Sequence, residues 1–283
     1  MALLALVSAA LYGAADFFGG IAARRAPVVP VVTIAQGTGV VLLLALMPFL
    51  APASPSTADL SWGAAAGIAG GAGVAWLYRA LAIGTMAIVA PVTAVCAVVI
   101  PVAVGLILGE RPGALTLIGI MTAVLSIVLV SQRPPDSPVA EARPSGLPAG
   151  LGIALLSGVA IGVFFLCLAQ TRSDAGMWPL VAARVASTGL FALGAVVAGV
   201  PLAIPPRALA LATVGGALDV AANALYLLAA RRGALSIVVT LVSLYPASTV
   251  LLANVFLRER FSRLQAVGIV CALAAILLIV SSS

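Results

Sequence analysis

The stretch that decides the fold begins at Gly84 with GTMAIVAPV, continues as a long apolar run and reaches LILGER at residues 106–111. A second copy begins at Gly233 with GALSIVVTL and reaches VFLRER at residues 255–260. The two glycines lie 149 residues apart, and so do the glutamates of the two closing motifs. Because one offset holds without a gap, the chain contains an internal repeat.

The repeat extends beyond this stretch to almost the whole chain. The same offset pairs Ser8 with Ser157, Gly13 with Gly162, Pro30 with Pro179 and Gly67 with Gly216. Between the copies lies QRPPDSPVAEARPSGLP, whose prolines and charges are typical of a flexible linker. We therefore predict a first repeat over residues 1–131, a Pro-rich linker over 132–148 and a second repeat over 149–283.

The composition indicates an integral membrane protein. Hydrophobic residues make up 63% of the 283 residues and charged residues only 8%, whereas soluble proteins carry about 25% charged residues. The mean hydropathy is +1.26. The net charge of +6 comes from scattered arginines, a distribution typical of helix ends at membrane boundaries, and no nucleic-acid partner is expected.

Ten apolar runs are long enough for transmembrane helices, which need about 20 residues each. They are Ala2–Ala23, Val28–Leu50, Leu60–Ala82, Met86–Leu108, Gly113–Ser131, Leu147–Ala169, Met177–Gly199, Arg207–Ala229, Leu235–Leu257 and Arg263–Val280. Each copy thus holds five helices, and an odd number makes the second copy start on the opposite side of the membrane. The predicted fold is all-α and integral to the membrane, with ten helices in two inverted five-helix repeats.

Residues for enzyme chemistry are missing from the sequence. There is no histidine, no phosphate-binding GxxxxGK[ST] loop and no HExxH motif. The three cysteines lie singly in apolar runs, where they behave as small hydrophobic residues. We expect no enzyme activity, no metal and no cofactor.

Features that both halves share are interpreted as structural. Glu110-Arg111 matches Glu259-Arg260 at the end of the fourth helix of each half, which favours helix-end capping and an interfacial ion pair. Small residues recur at helix-packing spacing in the third and eighth helices, at Gly63, Gly67, Gly71, Gly215 and Gly216. They predict close approach of the helix backbones.

Polar residues found in only one half are the functional candidates. A charge at the centre of a transmembrane helix costs about 2.5–3.5 kcal/mol, so it usually faces a bundle interior or a wet cavity. Counting about 1.5 Å per residue, Arg184 and Asp219 lie at depths that differ by about 5 Å, which predicts an ion pair between them. Arg79 either reaches Asp16 or extends to the membrane interface.

Two polar stripes follow from helical spacing. Asp219, Asn223 and Tyr226 share one face of the eighth helix, and Tyr12 and Asp16 share one face of the first. Either the stripes line one central cavity, or Asp219 only neutralises Arg184 and the tyrosines anchor the membrane interface. The candidate substrate-binding or coupling residues are Tyr12, Asp16, Trp76, Tyr78, Arg79, Arg184, Asp219, Asn223, Tyr226 and Tyr245.

The repeated motif resembles the drug/metabolite transporter superfamily in its EamA-like, ten-helix form. The resemblance rests on LGER at 108–111 followed by Gly119, on LRER at 257–260 followed by Gly268, and on SLYP at 243–246. It implies two inverted five-helix repeats around a central cavity, export of amino acids or other small metabolites, and termini in the cytoplasm. The arginine distribution predicts the opposite orientation, because nine arginines lie near loops on the side away from the termini and four on the termini's side.

Together these observations predict a secondary active transporter that exports small metabolites such as amino acids by alternating access. The alternative is a membrane scaffold or sensor that has the transporter fold but does not transport. The expected partners are a small-molecule substrate, the lipid bilayer and protons as coupling ion. The protein is expected to act as a monomer or homodimer and to span the bacterial inner membrane several times.

Overall fold

The computed structural model describes residues 2–49, 53–107, 113–130, 148–230, 242, 244–259 and 262–281. Within these ranges the regular structure is entirely helical. The helices are α1 (Ala2–Ala23), α2 (Val28–Leu46), α3 (Thr57–Ile83), α4 (Met86–Ile107), α5 (Ala114–Val130), α6 (Leu151–Ala169), α7 (Trp178–Val197), α8 (Pro206–Ala230), α9 (Tyr245–Leu257) and α10 (Arg263–Ser281). Each of the ten predicted runs overlaps one of them, and α3, α8 and α10 extend beyond their runs by one to three residues. Residues 235–241 and 243 of the ninth run lie outside the described ranges.

Among the described residues, six helices are long and apolar enough to cross a membrane: α1, α2 with the turn that follows it, α3, α6, α7 and α8. The apolar stretches of α4, α5, α9 and α10 within the described residues are shorter. Large apolar side chains cover the outside of the bundle, and Val197, for example, is 80% exposed. Such a continuous apolar exterior is typical of a surface that lipid covers, so the chain is a multi-pass membrane protein.

The two halves pack against each other in the register of the repeat. α1 packs on α8, and α3 packs on α6, which are exchanged by the 149-residue offset. The Ser8 hydroxyl donates to the Ala222 carbonyl at 2.7 Å, and the Ser157 hydroxyl donates to the Gly73 carbonyl at 2.7 Å. Donor and acceptor both shift by the offset, so the repeat is present in side-chain contacts as well as in sequence.

Close approach of helix backbones is possible because two equivalent glycines lack a Cβ atom. A Cβ on Gly67 of α3 would overlap the backbone of Ala183 in α7, and a Cβ on Gly216 of α8 would overlap the backbone of Ala35 in α2. The predicted packing role of these glycines is confirmed. The first contact joins α3 to α7 and the second joins α2 to α8, and α2, α7 and α8 carry part of the candidate site below.

At one end of the bundle, α3 begins earlier than predicted. Ser56 and Asp59 form a capping box, in which the Ser56 amide donates to Asp59 Oδ2 at 2.8 Å and the Asp59 amide donates to Ser56 Oγ at 3.2 Å. This pairing starts the helix at Thr57, so the predicted start at Leu60 is wrong. Asp59 is 2% exposed and also accepts hydrogen bonds from the backbone amide and Nε of Arg172, at 2.9 and 3.2 Å.

At the opposite end, Glu259 joins the halves. Its carboxylate accepts the Met86 and Ala87 amides at 3.1 and 3.0 Å, at the start of α4, and pairs with Arg24 at 3.3 Å. Arg24 also donates to the Gly84 carbonyl at 3.2 Å. The capping and ion-pair roles predicted for the repeated motif are confirmed at Glu259. The residues 110, 111 and 260 of the two motifs lie outside the described ranges.

Candidate functional site

The predicted ion pair between Arg184 of α7 and Asp219 of α8 is present in the bundle interior. The Arg184 side chain is 17% exposed and that of Asp219 is 25% exposed. Arg184 donates through Nη2 to Asp219 Oδ2 and through Nη1 to Gln36 Oε1 of α2. Three helices are therefore joined by one guanidinium, and its two terminal nitrogens are both occupied.

The sequence of α2 makes room for this guanidinium. Gly39 lies one turn from Gln36, and a Cβ placed on it would lie 3.5 Å from Cδ of Arg184. A larger side chain there would press on the arginine stem and on Val220 of α8, at 3.3 Å from the same position. Gln36 itself is 4% exposed, so its carbonyl oxygen requires the partner that Arg184 supplies.

Asn223 donates hydrogen bonds to Asp219, the acidic member of the pair. Its side-chain amide donates to the Asp219 backbone carbonyl at 2.8 Å and to Asp219 Oδ2 at 3.3 Å. The predicted common face of these two residues, four apart on α8, is confirmed. Asp219 thus keeps two donors around its carboxylate, and the pair with Arg184 carries no net charge.

Asp16 of α1 lies near this network but is not bonded to it. Gly215, one turn before Asp219 on α8, approaches the backbone of α1 beside Asp16, because a Cβ placed on it would lie 3.3 Å from the Ala15 carbonyl oxygen. Among the described residues, Asp16 has no hydrogen bond and no ion pair, and its surface is half-buried. The site therefore holds one neutralised ion pair and one unpaired carboxylate, which gives it a net charge of about −1 when all three groups are ionised.

Three tyrosines lie near the unpaired carboxylate. Tyr12 lies one turn before Asp16 on α1, and Tyr78 of α3 and Tyr245 of α9 are both within electrostatic range of Asp16. The rings of Tyr12 and Tyr245 meet edge to face, with centroids 6.3 Å apart. Both are half-buried, whereas Tyr78 is 4% exposed.

Glycines of α1 allow the tyrosine-bearing helices to approach. A Cβ on Gly19 would overlap the ring of Tyr78, and a Cβ on Gly13 would overlap the backbone carbonyl of Tyr245. The Thr249 hydroxyl donates to the Gly13 carbonyl at 3.0 Å, which fixes α9 against α1. These contacts place the Tyr78 ring and the Tyr245 backbone against α1, each about one turn along the helix from Asp16.

Of the ten predicted site residues, seven are brought together and one lies beside them. The seven are Tyr12, Asp16, Tyr78, Arg184, Asp219, Asn223 and Tyr245, which we call the polar cluster together with Gln36. Tyr226 of α8 is half-buried and within electrostatic range of Tyr12.

Trp76 and Arg79 are not part of the polar cluster. Trp76 is 41% exposed and Arg79 is exposed, whereas Tyr78, between them in sequence, is buried. Successive helix residues point about 100° apart, so the face of α3 that turns Tyr78 inward turns these two outward. Arg79 makes no ion pair with Asp16 in the described residues, and the interface position is the alternative that the structure favours.

Gln36 is the site residue that the sequence reasoning missed. Its counterpart in the second half is Val185, so it belongs to the same class of unmatched polar residues as Arg184 and Asp219. Applying the comparison of halves to uncharged polar residues as well as charged ones would have found it.

Two comparisons with known proteins bear on this chain. A model of the EamA-like transporter family matches residues 1–132 and 148–281, one match in each half. A search of curated proteins found no match.

Proposed function

Since the chain belongs to the EamA-like transporter family, whose members are membrane transporters of small molecules, we propose that it is a secondary active transporter that exports small metabolites such as amino acids by alternating access. The observation that carries this proposal is the polar cluster: a neutralised ion pair and a free carboxylate inside a membrane bundle. Ionisable groups at such positions usually lie on substrate or ion pathways.

All ten helices cross the membrane in this proposal, and the two halves have inverted orientations. Two end contacts support it. Glu259, after the ninth helix, meets the start of α4 and the end of α1, while Arg172, after the sixth helix, meets the start of α3. If the helices alternate in direction, with five in each half, the end of the ninth helix lies on the same side as the start of α4, and the end of the sixth lies on the same side as the start of α3. Both contacts agree with this arrangement. Two nearly equivalent inverted halves have a physical route to exchange inward-open and outward-open shapes.

The two end contacts also suggest how the halves separate. Arg24 with Glu259 at one end, and Arg172 with Asp59 at the other, each join one half to the other. Rocking the halves opens one contact while the other stays closed, so the polar cluster faces one side at a time.

Proton coupling in this proposal uses the carboxylates. Asp16 has no partner among the described residues and is half-buried. A proton and a cationic substrate therefore compete with each other for its carboxylate. Asp219 is bonded to Arg184 and Asn223. Its carboxylate therefore becomes available to a proton or a substrate only when the ion pair with Arg184 opens. The protein acts in the bacterial inner membrane, as a monomer or homodimer, in this account.

The test uses purified full-length protein in proteoliposomes that contain labelled amino acids, with an imposed proton gradient. We expect gradient-driven efflux from the wild type and a changed dependence on the gradient in Asp16→Asn or Asp219→Asn. The matched control is Asp174→Asn, which removes a carboxylate that is 58% exposed at the end of the bundle. Unchanged coupling in both cluster variants removes the carboxylate role, and a folded wild type that moves no screened metabolite favours the scaffold or sensor.

A further inference from the structure

The two carboxylates of the polar cluster differ in their hydrogen-bond partners. Asp219 accepts hydrogen bonds from Arg184 and from Asn223, whereas Asp16 has no bonded partner among the described residues. An unpaired carboxylate in a membrane interior is costly, and binding a cation relieves that cost. The position of Asp16 therefore favours a positively charged ligand.

The surroundings of Asp16 fit an organic cation better than a bare metal ion. Tyr12 lies one turn before Asp16 on α1, and its ring meets that of Tyr245 at 62° with centroids 6.3 Å apart; both tyrosines are half-buried. Aromatic faces attract ammonium groups through the ring quadrupole, and such rings recur around quaternary ammonium ligands. Hard metal ions instead require several oxygen ligands at short range.

The remaining charges argue against an additional carboxylate on the ligand. The two terminal nitrogens of Arg184 are bonded to Asp219 and Gln36, and Arg24 is bonded to Glu259 at the end of the bundle. Arg79 lies on the exposed face of α3. Within the described part of the chain, no unpaired cation is thus left near Asp16 to receive an anionic group.

We propose that Asp16, with the rings of Tyr12 and Tyr245, binds the ammonium group of a monovalent organic cation. This inference rests on the proposed transport function and changes its example substrate: among small metabolites it selects those that carry an ammonium group without a carboxylate, which excludes amino acids. The ring of Tyr78 lies against Gly19, one turn after Asp16 on α1, and is almost fully buried.

The probes are three molecules of nearly the same shape that differ in charge. Choline is a cation, glycine betaine adds a carboxylate, and 3,3-dimethylbutan-1-ol is the neutral analogue of choline. Binding to the full-length protein in detergent is measured by isothermal titration calorimetry, and thermal unfolding of each variant checks that it is folded. We expect choline to bind more tightly than either of the other two.

Substitutions separate the charge from the ring. Asp16→Asn should weaken choline binding by about thirtyfold or more, because it removes the charge partner of a desolvated cation. Tyr12→Leu should weaken it by about threefold to thirtyfold, the range for loss of one cation–π contact, and Tyr12→Phe, which keeps the ring, should weaken it less than Tyr12→Leu does. Asp174→Asn makes the same chemical change as Asp16→Asn outside the cluster and should leave binding unchanged.

Three results would overturn the proposal. Equal affinity for choline and its neutral analogue shows that the charge is not recognised, and tighter binding of glycine betaine shows that the ligand carries a carboxylate. Wild-type binding that survives Asp16→Asn in the folded variant places the cation elsewhere. A wild type that binds choline in this pattern but transports nothing contradicts the proposed function alone, whereas transport of amino acids without choline binding contradicts this inference alone.

Discussion

Removing one member of the Arg184–Asp219 pair should destabilise the protein far more than removing both. Breaking a buried ion pair on one side costs about 3–5 kcal/mol, because a charge is left without a partner. Since the two side chains are 17% and 25% exposed, the lower end applies, and we expect about 3 kcal/mol for Asp219→Leu and for Arg184→Met. In the double variant neither charge of the pair remains. The Gln36 carbonyl loses its partner and Asn223 keeps its bond to the backbone carbonyl of residue 219, for a total cost of about 1 kcal/mol.

The free energy of unfolding is measured by titrating the purified protein in detergent with sodium dodecyl sulfate and following helix content by circular dichroism. If the double variant loses as much as the two single variants together, the two residues do not interact and the description of the polar cluster is wrong.

Three further predictions test the packing, the end contact and the orientation. Gly67→Ala should lose about 1–3 kcal/mol of unfolding free energy in the same titration, because its methyl group overlaps the Ala183 backbone, whereas Gly189→Ala, with open space around it, should lose nothing; equal effects would contradict the helix contact. Glu259→Gln should lower the free energy of unfolding by about 1–2 kcal/mol, because it removes the charge that caps α4 and pairs with Arg24. Adding Arg24→Gln to this variant should lower it little further. Fully additive losses would show that the ion pair contributes nothing. In a variant whose three native cysteines are replaced by alanine, we expect a membrane-impermeant maleimide to label Ala26→Cys and not Ser54→Cys in intact cells, as the family resemblance implies; the reverse pattern would support the arginine distribution.

The general architecture could be predicted because it depends on patterns that are spread over the whole chain. The 149-residue offset and the apolar runs predict two helical halves, and the same offset relates the Ser8 and Ser157 hydrogen bonds in the structure. The Arg184–Asp219 pair was predictable for a related reason. Depth along neighbouring helices follows from counting residues. Two opposite charges at similar depth in a membrane are expected to pair, because an unpaired charge there is costly.

Side-chain direction could not be predicted in the same way. α3 is apolar on nearly all sides, so its sequence does not indicate that Tyr78 faces inward while Trp76 and Arg79 face outward. The choice depends on Gly19 of α1, which accepts the Tyr78 ring from another helix. The partner of Glu259 was also beyond local reasoning, because Arg24 lies 235 residues away and is brought there only by the packing of the two halves.

The central claim is that the polar cluster is the binding site of a carrier, and solute counterflow in proteoliposomes tests it most directly. Vesicles are loaded with unlabelled choline and diluted into a trace of labelled choline, without any ion gradient. We expect the label to accumulate transiently inside vesicles that hold the wild type or Asp174→Asn, because a carrier exchanges one bound molecule for another. Asp16→Asn should abolish this accumulation. A wild type that binds choline but shows no accumulation, or accumulation that persists in a folded Asp16→Asn variant, would contradict the central claim.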